Sequence, residues 1–324
     1  MMLEEFLHNG VVRRVGQALF TLLGVAVVVF VMLRAIPGDQ ITSNLGTEAA
    51  ALTPDQRAAL EAYYGIDQPL FSQFFSWLGN VLTGNLGFSS RAQTSVAELT
   101  LQALPVTFEL AVLSIAFALV MGILLGMLSA SRPNSARDAA GQVVGLAGLS
   151  IPAFLLATTL MSVLASEFGF NPNGEPYARL LQDPLLNLKQ MFLPALVLGF
   201  GVAAPIMRTT RTAVLEVKSG DFVRTARAKG VPPRRLQIRH VLRNALVPIV
   251  TMTGLQFGYL LGGAVVIEQV FSIPGIGRQV LLGIQQNEYA LVQSTVLVIA
   301  LAFVLVNLLT DLLYRIIDPR VRAA

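Results

Sequence analysis

The sequence predicts an all-α integral membrane protein. It has six transmembrane helices, both termini inside, a long outer segment after the first helix, and a short inner helix between helices 4 and 5. Three observations predict this. Hydrophobic residues fill 54% of the 324 positions and charged residues only 13%, against about 25% charged in a soluble domain. The apolar residues gather into six charge-free windows: Val15–Leu33, Leu110–Ser131, Ala139–Ser166, Gln190–Met207, Asn244–Ile267 and Tyr289–Thr310. Each approaches the roughly 20 residues that cross a bilayer as a helix. The basic residues are one-sided: this orientation places 17 of the 23 Lys and Arg inside and 6 outside, and the reverse would violate the positive-inside rule.

The organisation along the chain is residues 1–33 (inner N-terminus and first span), 34–104 (outer segment) and 105–324 (core), the last including a basic loop at 208–243. The first span follows Arg13-Arg14 and could pass for a signal peptide. Its 19 uncharged residues are long for that, and no small-residue cleavage pattern follows, so it reads as an uncleaved anchor. Arg34-Ala-Ile-Pro-Gly-Asp39 reads as the exit turn. In the outer segment, Thr53-Pro-Asp-Gln56 has the capping-box pattern and Gly65 can close that helix. The next apolar run, Leu70–Leu82, is a decoy. Ser72, Gln73, Ser76 and Asn80 share one helical face, while Phe71, Phe74, Phe75, Leu78 and Leu82 share another. That pattern describes an amphipathic helix rather than a crossing. A further short helix is expected around Ser95–Ala103, running into Pro105.

Gly122/Gly126 and Gly141/Gly145 have the four-residue spacing that lets membrane helices approach closely. Such residues serve tight packing or line a path. Pro152, Pro194, Pro205 and Pro248 lie in or at the ends of spans and read mostly as kinks. The outer segment at about 167–189 is rich in Pro, Asn and Gly and is expected to be irregular. The one at about 268–288 contains Phe271-Ser-Ile-Pro-Gly-Ile-Gly277 and reads as a loop that dips back or packs on the outer mouth.

The basic loop is the most informative stretch. Ten of the 23 Lys and Arg lie between Arg208 and Arg243, with only Glu216 and Asp221 as acids. Asp221 is placed to cap a helix from Phe222 to Lys229. Gly230 can end it in the left-handed conformation, and Pro232-Pro233 forbids continuation. A short helix held on an inner loop is a shape for docking.

Several chemistries are excluded. No cysteine is present, so disulfide and thiol chemistry are absent. The three Lys, at 189, 218 and 229, do not sit in a Gly-x4-Gly-Lys-Ser/Thr loop, so ATP is not bound in the P-loop manner. His8 and His240 make no zinc pair, and no protease motif lies in a span. Glu109, Glu268 and Asp311 lie at span edges, where they can reach water. An ion-driven secondary carrier would want ionisable groups at mid-membrane. Gln256, Asn307 and Thr158–Thr159 are the best candidates, and hydrogen bonding between helices accounts for them. The net charge of +4 comes from the inner loops and implies membrane lipid rather than nucleic acid as surroundings.

Phe222-Val-Arg-Thr-Ala-Arg-Ala-Lys-Gly230, followed by His240-Val-Leu-Arg-Asn-Ala-Leu-Val-Pro248, resembles the coupling loop of ABC importer permeases. The branch it resembles serves dipeptides, oligopeptides, nickel and glutathione. The wider family's Glu-Ala-Ala, three residues, Gly falls here on Arg224-Thr225-Ala226 and Gly230, with Arg in place of Glu as is typical of the branch. The family's later Ile-x-Leu-Pro is absent at its usual spacing, and Leu246-Val-Pro248 stands nearby. Ile36-Pro-Gly-Asp39 (with Gln40 for the usual Pro), Gly254-Leu-Gln-Phe-Gly258, Leu261-Gly-Gly263, Pro274-Gly-Ile-Gly-Arg278 and Asn307 through Arg320 are similar to the same branch.

The resemblance implies a half-channel in the bacterial cytoplasmic (inner) membrane with no catalysis or cofactor of its own. It would pair with a second homologous permease, above two cytoplasmic ATPases that bind ATP and Mg. A periplasmic binding protein would deliver a peptide-class substrate. The resemblance assigns ATPase coupling to Asp221, Arg224, Thr225, Ala226, Arg227, Ala228, Lys229 and Gly230. The rival reading is a secondary transporter working without an ATPase.

Overall fold

The computed structural model describes residues 2–35, 52–64, 67–169, 171 and 174–317. The turn at Ile36–Asp39 with Gln40, the helix-ending Gly65, the side chains of His8 and Asp311, and the Asp318–Arg320 terminus lie outside the described residues. Among the described residues, five helices are long and apolar enough to cross a membrane: Arg13–Arg34, Val96–Ser131, Pro184–Ser219, Pro233–Gly263 and Tyr289–Thr310. The remaining expected span, Ala139–Ser166, falls on two helices, Ala136–Ser150 and Ala153–Phe168, bent by 98°, which makes it a broken span or a re-entrant loop. The chain divides into two compact units, one of 1–107 with 274–305 and the other of 108–273 with 306–324.

In the first unit, helix α1 (Met2–Ala35) buries Ala26, Phe30 and Leu33 among its described side chains and leaves Leu19, Phe20, Val28 and Met32 exposed. Helix α2 (Pro54–Tyr64) opens with the expected capping box: Thr53 N donates to Gln56 Oε1 at 3.0 Å and Gln56 N to Thr53 Oγ1 at 3.3 Å. Helix α3 (Leu70–Leu82) is too short to span. It packs on α1 through Phe74, whose ring meets Phe30 edge-on at 5.2 Å. Arg34 lies 3.6 Å above the Phe30 ring and donates to Gln73.

A two-residue hairpin follows, β1 (Phe88–Ser89) against β2 (Thr94–Ser95), a piece of sheet that the hydrophobic pattern does not announce. Ser89 Oγ and Arg91 N donate to the carboxylate of Glu288, and Ser294 Oγ donates to Leu86 O. The expected separate helix at Ser95–Ala103 is instead the start of helix α4, which runs unbroken over Val96–Ser131 with Pro105 inside it. A proline removes one backbone bond, and here its neighbours keep the helix continuous.

In the second unit, α5 (Ala136–Ser150) and α6 (Ala153–Phe168) meet at Ile151-Pro152. Pro152 has no N–H to give, and Ile151 before it is extended at φ −84°, ψ 117°, as a residue preceding proline prefers. This proline therefore breaks a helix rather than kinking it. Pro194 and Pro205 stay inside helix α7 (Pro184–Ser219), and Pro248 inside helix α9 (Pro233–Gly263). The small residues are packing sites: a Cβ on Gly122 would lie 2.7 Å from Ile206, and one on Gly126 would lie 2.6 Å from Thr210 and 2.7 Å from Met207 O.

After Gly263 the chain continues as α10 (Val265–Val270), packed on α6 and α7. Glu268 is consequently fully buried, not at a wet span edge as its sequence position suggested. The segment beyond it is more regular than a dipping loop. Ser272 turns at φ +55°, and helix α11 (Ile276–Gln285) follows. In the first unit, Ile276 N donates to Thr107 Oγ1 at 2.8 Å, and Gln279 Nε2 donates to Leu99 O. Helix α12 (Tyr289–Ile317) is last.

Candidate functional site

Helix α7 starts at Pro184, capped by Asp183, and ends at Ser219, well beyond the apolar window Gln190–Met207. Nothing from Arg208 to Ser219 breaks a helix, and the first breaker is Gly220. Arg208, Arg211 and Lys218 therefore stand on a rigid stem, not on a loop.

The stem is tied to its neighbours. Arg211 grips Asp138 with two parallel bonds, Nε to Oδ1 at 2.8 Å and Nη2 to Oδ2 at 2.7 Å. Asp138 lies in the first turn of α5, capped by Ser135, and is 1% exposed. Lys218 Nζ donates to Ala130 O at 2.7 Å. In the sequence, Arg211 is one of ten basic residues between Arg208 and Arg243, and Asp138 stands outside that stretch. A usable signal existed in Ser135-x-x-Asp138, a capping-box spacing just before an apolar run.

Gly220, extended at φ −68° and ψ 144°, turns the chain into helix α8 (Asp221–Ala228). The cap differs from expectation. Gly220 occupies the capping position, and Asp221 is the first helical residue, with no side-chain capping bond. Its carboxylate suits the positive end of the helix dipole and lies 3.5 Å from Arg224 Nη1, both side chains being exposed. Thr225 Oγ1 donates to Asp221 O.

The helix end matches the expectation. Gly230 has φ +74°, Gly230 N donates to Arg227 O at 3.0 Å, and Val231 N donates to Ala226 O at 3.2 Å. These are the paired bonds of a Schellman motif.

Of the eight residues assigned from the resemblance, Asp221, Arg224, Thr225, Arg227, Ala228, Lys229 and Gly230 are exposed and Ala226 is half-buried. The anchor is a residue outside that set: Val223, 1% exposed. Beyond the helix, Leu236–Leu242 forms a π-helical turn at the start of α9. Its buried residues Leu236 and Val241 are five apart, matching the i→i+5 repeat of a π-helix. Lys229, Arg235, Arg239 and His240 line one open cleft beside Gly230 and Val231. An exposed, basic, slim helix on a rigid stem can insert into a groove on an acidic partner.

Residues 122–323, which include the stem and this helix, match the family model described as binding-protein-dependent transport system inner membrane component. The chain belongs to that family. Residues 7–111 match the family's N-terminal model. A glutathione transport system permease protein of Pectobacterium atrosepticum is 40% identical over 315 residues, covering 97% of this chain and 99% of that one. A di/tripeptide transport system permease protein of Pseudomonas aeruginosa is 37% identical over 331 residues, covering 96% and 98%. Among solved structures, the inward-facing methionine ABC transporter MetNI shares the fold, with a TM-score of 0.52 at 21% identity over 68% of this chain and 96% of that one. This permease is thus a multi-pass inner-membrane component of an ABC importer, and ATP hydrolysis belongs to separate subunits. A complex with ATPases and a binding protein follows from membership.

Proposed function

We propose that helix α8, with Lys229 and Gly230, is the element by which this permease docks on a cytoplasmic ATPase, and that its cargo is peptide-class. The observation that carries the docking role is one of exposure. Seven of the eight assigned residues are exposed, five on helix α8 and two just beyond its end, and the helix is held by a buried side chain, Val223. Ala226 and Ala228 keep that helix thin. Arg224 and Arg227, one turn apart, offer two forks to carboxylates on a partner. Gly230 ends the helix at a φ that other residues resist.

In this reading both termini and the 208–243 segment face the cytoplasm, and residues 34–104 face the periplasm. A second six-span permease completes the path, two ATPases dock beneath, and a periplasmic binding protein delivers cargo. Peptide-class cargo is supported by relatives named for glutathione and for di- and tripeptides. The test is to solubilise the tagged chain gently and identify what co-purifies. Two P-loop ATPases and a second permease are expected, and a single species after mild crosslinking would overturn the docking role. Labelled glutathione and dialanine, offered to cells with and without the gene, test the cargo class. Uptake of neither would overturn it.

A further inference from the structure

The carboxylate of Asp138 gathers partners from four places. Oδ1 accepts from Arg211 Nε at 2.8 Å, Gln142 Nε2 at 3.1 Å and Ser129 Oγ. Oδ2 accepts from Arg211 Nη2 at 2.7 Å and from Asn134 N at 2.9 Å. Ser129 is in the last turns of α4, Asn134 in the α4–α5 turn, Gln142 in α5 and Arg211 in α7. Asn134 holds that turn at φ +59°. A second tie, Lys218 Nζ to Ala130 O, lies about two helical turns further along α7. The helices also touch directly, with Gly126 against Thr210 and Met207 O.

Neutralising a charge does not require this geometry, because any cation would serve. A two-point guanidinium–carboxylate pair fixes angle as well as distance. With a second tie further along the axis, the stem can neither slide along nor roll against the α4–α5 turn. Helix α8 follows that stem after the single residue Gly220 and also packs on the π-helical turn of α9. A push on α8 is then passed to α4 and α5 instead of being absorbed at the end of α7.

We infer that Asp138 and Arg211 are positioning residues for coupling. They clamp the α4–α5 turn to the stem, so that displacement of helix α8 moves α4, α5 and α7 as one body. This rests on the reading of 221–230 as the ATPase-docking element.

The chain has no cysteine, so two spin labels can be placed without background at the exposed positions Arg137→Cys and Glu216→Cys. In the purified complex, the distance between them should be one narrow distribution, unchanged between nucleotide-free and ATP–vanadate-trapped states. Arg211→Lys keeps the charge and should keep ATPases bound, yet broaden the distribution and let it shift with nucleotide. Arg211→Gln should do the same more strongly. A distribution in Arg211→Lys as narrow as in the native pair would overturn the clamp, since charge alone would then suffice. A native distance that changes with nucleotide would overturn it too. If no ATPase co-purifies with the native chain, the docking reading fails instead, and the comparison of native and Arg211→Lys widths without nucleotide still judges the clamp.

Discussion

Arg211 and Arg224 lie thirteen positions apart in one basic stretch, and the fold puts them to opposite uses. On the stem, Arg211 closes a two-point pair with a buried carboxylate. On helix α8, Arg224 stands in the open, with a loose surface contact to Asp221. The stem is built to keep its place, and the helix beyond Gly220 is built to be reached. A count of positive charges sees ten equivalent residues, yet the environment sorts them into anchors and contacts. Stability should therefore respond to changes on the stem, and partner binding to changes on the helix.

Changes where the stem is packed test the first half of that contrast most severely. Gly126→Leu would drive a side chain into Thr210 and the backbone of Met207, and should cost about 3 kcal/mol of bundle stability. Thermal unfolding of the purified complex reads this, and an unchanged midpoint would mean the stem is looser than its contacts imply. Next in size is Gly230→Val. A side chain at φ +74° costs about 2 kcal/mol, confined to the helix end. The expected result is an intact bundle with lost uptake, and normal uptake would remove the cap from the docking element.

Val223→Ala shortens the one buried anchor of α8. It should loosen the helix by about 1.5 kcal/mol at roughly 0.8 per lost methylene-sized group. Hydrogen exchange at Val223–Ala228 should rise while exchange in the stem stays unchanged. Exchange rising in both would merge the two regions that the contrast separates. The smallest stability effect belongs to Arg224→Gln with Arg227→Gln, within about 0.5 kcal/mol for exposed positions. ATPase recovery on co-purification should nevertheless fall sharply. If it does not, the exposed charges serve topology alone.

Much of this was legible in one dimension. The capping box at Thr53–Gln56, the helix at Leu70–Leu82 and the left-handed Gly230 were each written in local residues, and each is present. Local chemistry decides such features because their partners lie within one turn. The misses share a different cause. Pro152 and Pro194 look alike in sequence, yet one breaks a helix and the other sits inside one, because packed neighbours decide whether a lost backbone bond ends the helix. Glu268 looks like an edge residue because only the packing of its own helix, α10, on α6 and α7 brings it under cover. The Asp138–Arg211 pair joins residues 73 positions apart, and no periodicity reports a partner at that distance.

By itself, the sequence determined that the chain is a membrane protein, how many apolar segments it has, and where the short helix before Gly230 lies. Bilayer thickness, backbone hydrogen bonding and the left-handed glycine act over short stretches and leave marks there. Only the tertiary structure decided which basic residues are paired and which are exposed, where the chain bends at Pro152, and that a buried valine holds the helix. Those outcomes depend on side chains meeting across the bundle, and burial exists only after the helices have packed.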